Sequence, residues 1–480
     1  MEARSAVPGY ELARLLGAWE GPGPGYAALA AALRSLVLDG RLPLRARLPS
    51  ERELAGTLGV SRTTTTAAYD LLRGEGFLES RRGSGSRVAL PTGGVAEREL
   101  VLAHGAGEGS DAIDMSIAAM PAPGAMVEAV ERATRDLAGH LGSTGYDPTG
   151  LPSLRAAVAG HFDERGVPTT VDQVVITSGA QHALTLLLDV LLAPGDPALV
   201  EVPSYPNALA AFRRAGARFV PSAIGPRGWD LDAIGRLFRE REPRVGYLLP
   251  DFQNPTGFLM DDRERAALVA AAGRASAHVI VDETFALLDL EPRRPRPRPV
   301  AAHDRDGRVV TVGSMSKSFW GGLRVGWIRC SPPLARRLTR ARASIDLATP
   351  VLEQLVAEHL LRDTAAVLDE RRWLLSERRD ALAAALRREL PGWRFRVPRG
   401  GLCLWAEMEH PEAEALAAAA AREGVHVVPG PTFGVDGTLE RHVRLPFTQP
   451  PDRLAEAARR LVAAERGLRP AAVPRRDRIA

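Results

Sequence analysis

From Ile113 onward the chain alternates strand-like apolar runs with helix-like stretches, and the ends of these runs carry polar side chains. Val174 to Ile176 runs into Ser178, Ala198 to Val202 into Tyr205, and Val245 to Leu249 into Asn254. His278 to Val281 ends at Asp282, Arg308 to Val312 leads to Lys317, and Arg324 stands just ahead of Val325 to Ile328. Such alternation predicts an α/β unit, with helices covering a largely parallel sheet. Ligands of open α/β sheets collect at the carboxyl ends of strands, so these six side chains are expected around one site.

Lys317 is the only lysine of the chain, and the other 61 basic residues are arginines. A lone surface lysine would by itself mean little. This one lies in a small hydroxyl-rich turn, Gly313 to Ser318, with Arg324 seven residues later. An amine can lose its proton and attack a carbonyl, which a guanidinium does not do. Hydroxyls and an arginine fork beside that amine suit a phosphate next to an aldehyde. Ser178-Gly179-Ala180-Gln181, between a strand and an apolar helix, predicts a phosphate seat at a helix N-terminus. Tyr205 can stack on a planar ring, Asn254 supplies an amide, and Asp282 can pair with a ring nitrogen.

No apolar run approaches the ~20 residues of a membrane span, and the N-terminus has no basic-then-apolar leader pattern, so a cytoplasmic protein without a membrane partner is expected. Cys330 and Cys403 are far apart within apolar runs, and the ten histidines form no cluster at ligand spacing. Neither a disulfide framework nor a metal is expected.

Residues 26–90 hold ten arginines and six acids, which accounts for the net charge of +4. That distribution suits polyanion binding, and a solvated basic face has the same composition. Leu29, Leu33, Leu36 and Val37 have helical spacing. Ser50, with Glu53 three residues on, predicts the start of a second helix, and Ser61 that of a third after the Gly59 turn. Two short helices joined by a glycine turn predict a helix-turn-helix, with Arg52, Ser61, Arg62, Thr63 and Thr66 toward DNA. Two short strands then flank a basic glycine-rich tip containing Arg81, Arg82, Gly83 and Gly85, a predicted wing.

The segment Leu48-Pro49-Ser50-Glu51-Arg52 through Leu58-Gly59-Val60-Ser61-Arg62-Thr63 to Ala68-Tyr69 resembles the GntR family of winged-helix regulators. Leu44-Arg45 and Thr65 depart from that family's pattern, Thr65 by putting a hydroxyl at an expected core position. Residues 113–465 resemble the fold type I aminotransferases. The resemblance implies pyridoxal 5′-phosphate as cofactor, with Lys317 forming the internal aldimine, Asp282 on the pyridine nitrogen, Asn254 on the ring hydroxyl and Tyr205 stacked on the ring. It places the phosphate on Ser178, Gly179, Ala180, Gln181, Ser314 and Arg324, brings Tyr146 from a neighbouring subunit, and gives Arg444 a substrate or effector carboxylate. The usual tyrosine two or three residues after the aspartate is replaced by Thr284 and Phe285. Together the halves resemble the MocR subfamily. The expected architecture is a lead-in (1–25), a winged helix (26–90), a linker (91–112), an aminotransferase-like domain (113–465) with a mostly parallel sheet, flanking helices and a smaller C-terminal α/β part, and a basic disordered tail (466–480). The function implied is a homodimeric, pyridoxal-phosphate-dependent transcription regulator that senses the cofactor or an amino compound. The alternative is a working aminotransferase with an autoregulatory DNA-binding domain.

Overall fold

The computed structural model describes residues 7–20, 24–38, 42, 46–81, 85–89, 111–292, 294–410, 412–435 and 438–468. They fall into two compact units, within Met1–Leu102 and Ala103–Ala480. The expected linker and tail lie almost wholly outside the described residues.

In the first unit, helices α1 (Gly9–Leu16), α2 (Gly25–Leu38), α3 (Glu51–Leu58) and α4 (Arg62–Gly74) precede a hairpin of β1 (Leu78–Arg81) and β2 (Gly85–Val88). The Ser50 hydroxyl accepts from the Glu53 N–H at 3.2 Å and the Ser61 hydroxyl from the Thr64 N–H at 3.1 Å, so both serines cap as their positions predict. Gly59, at φ 69°, closes α3 in the left-handed region that glycine adopts freely. Leu29, Leu33, Leu36 and Val37 are buried with Leu54, Ala68, Tyr69 and Leu72 in one core. Thr65 is also buried, and its hydroxyl reaches the Arg62 carbonyl at 2.9 Å and the Glu51 carbonyl at 3.0 Å. The hydroxyl thus ties the third helix of the motif to the start of the second. Helix α1 lies in the stretch read from sequence as a lead-in, yet it buries Leu12 in the same core. At eight residues, with Pro8 as an N-cap that makes no side-chain bond, it offers little sequence signal.

In the second unit, β3 (Ile113–Asp114) is followed by β4 (Val174–Thr177), helix α5 (Ala180–Leu191), β5 (Pro197–Val202), β6 (Arg218–Gly225), β7 (Gly228–Trp229), β8 (Val245–Leu248), β9 (His278–Asp282), β10 (Val309–Ser314) and β11 (Gly326–Arg329). The large sheet has the order β4-β11-β10-β9-β8-β5-β6-β7. Neighbours from β10 to β6 are parallel, while β11 is antiparallel to both β10 and β4. Alternate residues face opposite ways: Val175, Val200, Tyr247, Ile280, Val310 and Ile328 enter one core with α5. Val174, Ile176, Leu199, Leu248, Val279, Val281 and Trp327 enter the other. A sheet buried on both faces accounts for the unbroken apolar runs in the sequence.

Beyond it come helix α6 (Thr364–Glu389), strands β12 (Arg394–Phe395), β13 (Cys403–Glu407), β14 (Val425–His426), β15 (Val428–Pro429) and β16 (His442–Pro446), and helix α7 (Pro451–Leu468). A smaller antiparallel sheet, β12-β13-β16-β15, holds Arg444, and β14 pairs in parallel with β3. No described helix is long and apolar enough to cross a membrane.

Candidate functional site

Strands β4, β5, β8, β9 and β10 point the same way, so the segments following them emerge at one edge of the sheet. The antiparallel β11 begins at that edge, since Gly326 stands opposite Ser314 and Thr177, and Arg324 therefore arrives beside residues that follow the other strands. A side chain on Gly326 would have its Cβ 2.7 Å from the Gly313 carbonyl and 2.8 Å from the carbonyl carbon of Gly179. Glycine is what lets the three loops close together.

The first group is a cradle. Gly179 has φ 89° and ψ 172° and opens α5, whose first N–H groups have no partner within the helix. Arg324, at φ 53°, turns its guanidinium back over the loop, donating to the Ser178 carbonyl at 3.0 Å and the Gly321 carbonyl at 3.3 Å. A Cβ on Gly179 would lie 2.7 Å from that guanidinium. The Ser178 N–H donates to Nδ1 of His182 at 3.0 Å, and Asp346 lies 3.6 Å from the same nitrogen. Burial would raise the Asp346 carboxyl, and the Arg342 guanidinium holds it below its ordinary value. Gln181 donates from its amide to the Asn207 carbonyl at 3.1 Å, and the Ser314 hydroxyl closes its own turn on Ser316 at 2.9 Å.

The second group surrounds the lysine. Lys317 donates to the Ala118 carbonyl at 2.9 Å. Burial, reinforced by Arg444 and opposed by Asp282, brings its amine down to about 8. The ring of Phe285 lies beside it, 5.9 Å from Nζ to the ring centroid, so the position where a tyrosine is usual in the resembled family does face the amine, without a hydroxyl. Asp282 is buried, accepting from the Tyr247 phenol at 2.7 Å and the Thr284 N–H at 2.9 Å. Tyr205 accepts from the Asn207 amide at 2.9 Å, and burial raises its phenol.

Asn254 is buried on a turn built by Gln253, whose amide oxygen accepts from the Thr256 N–H at 3.0 Å and hydroxyl at 2.7 Å. Gln253 in turn donates to Glu201 at 3.3 Å. That fully buried carboxyl also accepts from the Trp229 ring at 2.6 Å and the Leu249 N–H at 3.1 Å, and burial pushes it up to about 7. Cys403 lies against the same turn, its Sγ 3.9 Å from Oδ1 of Asn254 and 3.7 Å from the Pro255 carbonyl.

Arg444 is buried, with Phe433 under its guanidinium at 5.1 Å. Nη2 donates to the Ser116 carbonyl, whereas Nε is buried without a partner. Tyr146 stands apart, 71% exposed. Its loop adjoins the cradle, because Arg342 donates to the Pro148 carbonyl at 3.0 Å while holding Asp346 through both carboxylate oxygens.

In the first unit Arg52, Ser61, Arg62 and Thr63 are exposed around the start of α4, Thr66 is half-buried, and Gly85 opens β2 at φ 77°. Arg82 and Gly83 lie outside the described residues, and of Arg81 only the backbone is described.

These features fit pyridoxal phosphate. The cradle offers backbone donors and a guanidinium to a phosphate, the amine is poised near neutrality, Asp282 is a held carboxylate, and Arg444 has an unused donor. The sequence reading missed Tyr247, Cys403, Glu201 and the Ser116 and Ala118 carbonyls; Tyr247 and Glu201 had a signal, as a tyrosine and a carboxylate in otherwise aliphatic strands.

Residues 110–461 match the aminotransferase class I and II family, and residues 25–88 match the gntR family of bacterial regulatory proteins. The 2-aminoadipate transaminase of Thermus thermophilus is 36% identical over 329 residues, covering 67% of this chain and 82% of its own. The probable rhizopine catabolism regulatory protein MocR of Rhizobium meliloti is 33% identical over 393 residues, 75% of this chain and 77% of that one. Among solved structures, the α-aminoadipate aminotransferase LysN of T. thermophilus, complexed with N-(5′-phosphopyridoxyl)-L-leucine, superposes with a TM-score of 0.69 at 31% identity. It covers 82% of this chain and 97% of its own.

Proposed function

The chain belongs to the MocR type of gntR regulators, a winged helix fused to a class I and II aminotransferase domain that takes pyridoxal phosphate, and on that premise we propose that its second unit reads an amino compound carrying a carboxylate while its first binds duplex DNA. What carries this reading is the sole lysine, its amine at about 8, set between a buried carboxylate and a buried arginine with a spare donor.

When bound, the cofactor supplies an aldehyde that captures primary amines and a ring that accepts electron density. Lys317 would be the attachment point and the proton carrier. The N–H groups of Gly179, Ala180 and Gln181, with Arg324, Ser178 and Ser314, would take the phosphate. Asp282, oriented by Tyr247, would keep a proton on the ring nitrogen, and Tyr205 and Asn254 would hold the ring and its hydroxyl. Arg444 receives the carboxylate of the amino compound through its fork.

A homodimer completes the arrangement. Tyr146 is 71% exposed, and Leu141, Ile345 and Leu347 are exposed at 73%, 45% and 50%. A second copy covering these side chains gives Tyr146 access to the partner's phosphate. On DNA, Arg52, Ser61, Arg62, Thr63 and Thr66 enter the major groove, and Arg81, Arg82, Gly83 and Gly85 form the wing.

An active aminotransferase is the second reading, favoured by the near-neutral Lys317 amine and the likeness to a transaminase. The Phe285 ring in place of a hydroxyl weighs against it. Visible absorption during titration with a panel of amino acids separates the two, read beside DNA mobility shifts. A lysine-bound cofactor band that shifts and persists, with altered DNA binding, supports the regulator. Conversion to the pyridoxamine form with release of keto acid supports the enzyme, and absence of any band in the wild type overturns the cofactor site.

A further inference from the structure

The cationic groups of the site are answered by backbone. Arg444 donates to the Ser116 carbonyl and Lys317 to the Ala118 carbonyl at 2.9 Å. Three residues further, Arg371 on α6, itself buried, donates to the Pro121 carbonyl at 2.5 Å while also holding the carbonyls of Ser318 at 3.1 Å and Phe319 at 2.7 Å. Residues 116–121 thus run from Arg444 across Lys317 to the loop that carries the lysine. Upstream the chain is fixed separately: Ile113–Asp114 pairs with Val425–His426, and Asp111 is held by Arg453 at 3.2 Å and Arg460 at 2.6 Å.

Ser116 also bonds locally to Asp114, through its N–H at 2.7 Å and its hydroxyl at 2.6 Å. Resting on the reading of the site given above, we infer that residues 116–118 are a strap with two holds on the site, one released when Lys317 engages the cofactor and the other when Arg444 engages a ligand carboxylate. A neutral carbonyl is a weak partner for a buried guanidinium whose Nε is unpaired. A carboxylate accepts two charge-assisted bonds from the same fork and displaces it. At Lys317 the neutral amine condenses with the aldehyde, forming a C=N bond as both N–H hydrogens leave with the carbonyl oxygen as water. The nitrogen is then committed to the cofactor and Ala118 loses its donor. Each hold contributes a roughly tenfold shift between the seated and released strap, the scale of a hydrogen bond from a charged donor. Full release requires both events.

Ile117 offers the probe. It is 36% exposed, whereas Cys330 and Cys403 are buried, so Ile117→Cys takes a nitroxide label selectively. Electron paramagnetic resonance is read in four states: apoprotein and cofactor-loaded protein, each with and without 4-methylvalerate, a carboxylate with no amine. The expected result is a mobile component that grows in each singly occupied state and is largest with both. Spectra unchanged throughout, a less mobile label with either ligand, or a response to one ligand only would overturn the inference. Arg444→Gln in the labelled background should be mobile without carboxylate and indifferent to it, its cofactor band showing that it has folded; a seated strap there also overturns the inference. Failure of the cofactor band in the wild type sinks the functional reading alone, because the two apoprotein states still test the Arg444 hold.

Discussion

The phenol of Tyr247 donates to Oδ2 of Asp282 at 2.7 Å, both groups being buried, and the Thr284 N–H takes the other oxygen at 2.9 Å. Burial, and after it the Asp282 carboxylate and its neighbours, raises the phenol well above its ordinary value, so Tyr247 stays a donor. Tyr247→Phe leaves one oxygen of a buried carboxylate without that donor. The expected cost is about 1–3 kcal/mol of stability in the apoprotein, measured by urea denaturation, together with a displaced absorption maximum of the bound cofactor. A full-stability variant with an unmoved band would show that Asp282 does not depend on Tyr247.

Lys317 should set a pH profile. With the amine at about 8, its reaction with cofactor should slow about tenfold per pH unit below that value and level off above it. An unperturbed lysine would go on accelerating to ~10.4. The linked stability has a definite sign: between about 8 and ~10.4 the unfolded chain holds the proton and the folded chain does not, so the lysine's contribution rises with pH. Lys317→Met removes that rise. Arg444→Gln removes a nearby positive charge and should move the reaction midpoint upward, measurable by stopped-flow absorbance from pH 6 to 10.

The strand ends and their polar residues were legible because a doubly buried strand is an unbroken apolar run and its end is marked by the first polar turn. Three features were not. The direction of β11 leaves no mark on Val325 to Ile328, since pairing direction is set by the chain's return path. The Ser116 and Ala118 carbonyls have no side-chain signature at all. Among 61 arginines, nothing in composition separates the solvated ones from the buried Arg342, Arg371 and Arg444. Each of those three is satisfied at least partly by carbonyls distant in sequence, and burial of a cation is decided there.

Gly179 combines φ 89° and ψ 172° with a guanidinium 2.7 Å from where a Cβ would stand. Gly179→Ala should cost about 1–3 kcal/mol in backbone strain and push Arg324 from the cradle. Cofactor affinity should fall at least roughly tenfold, read by fluorescence titration. Because the strain is local, Arg324→Ala should weaken the cofactor without the same loss of stability. Equal stability losses in both would mean that the cradle is only structural.

Ser61 and Arg62 are adjacent and exposed, yet their expected roles on DNA and in folding differ. Ser61 caps α4 through the Thr64 N–H at 3.1 Å, so Ser61→Ala should lower the stability of the first unit by about 1 kcal/mol. Arg62 makes no such cap, and Arg62→Ala should leave melting unchanged while weakening operator binding by about 1–3 kcal/mol. Salt titration then sorts the contact. If Arg62 meets a phosphate, affinity falls on every sequence alike and the slope of log K against log salt drops by about 1. If it reads a base edge, the loss is confined to the operator and specificity relaxes at one position. Undiminished binding to operator and random DNA alike would remove Arg62 from the interface and leave the first turn of α4 without its only arginine contact.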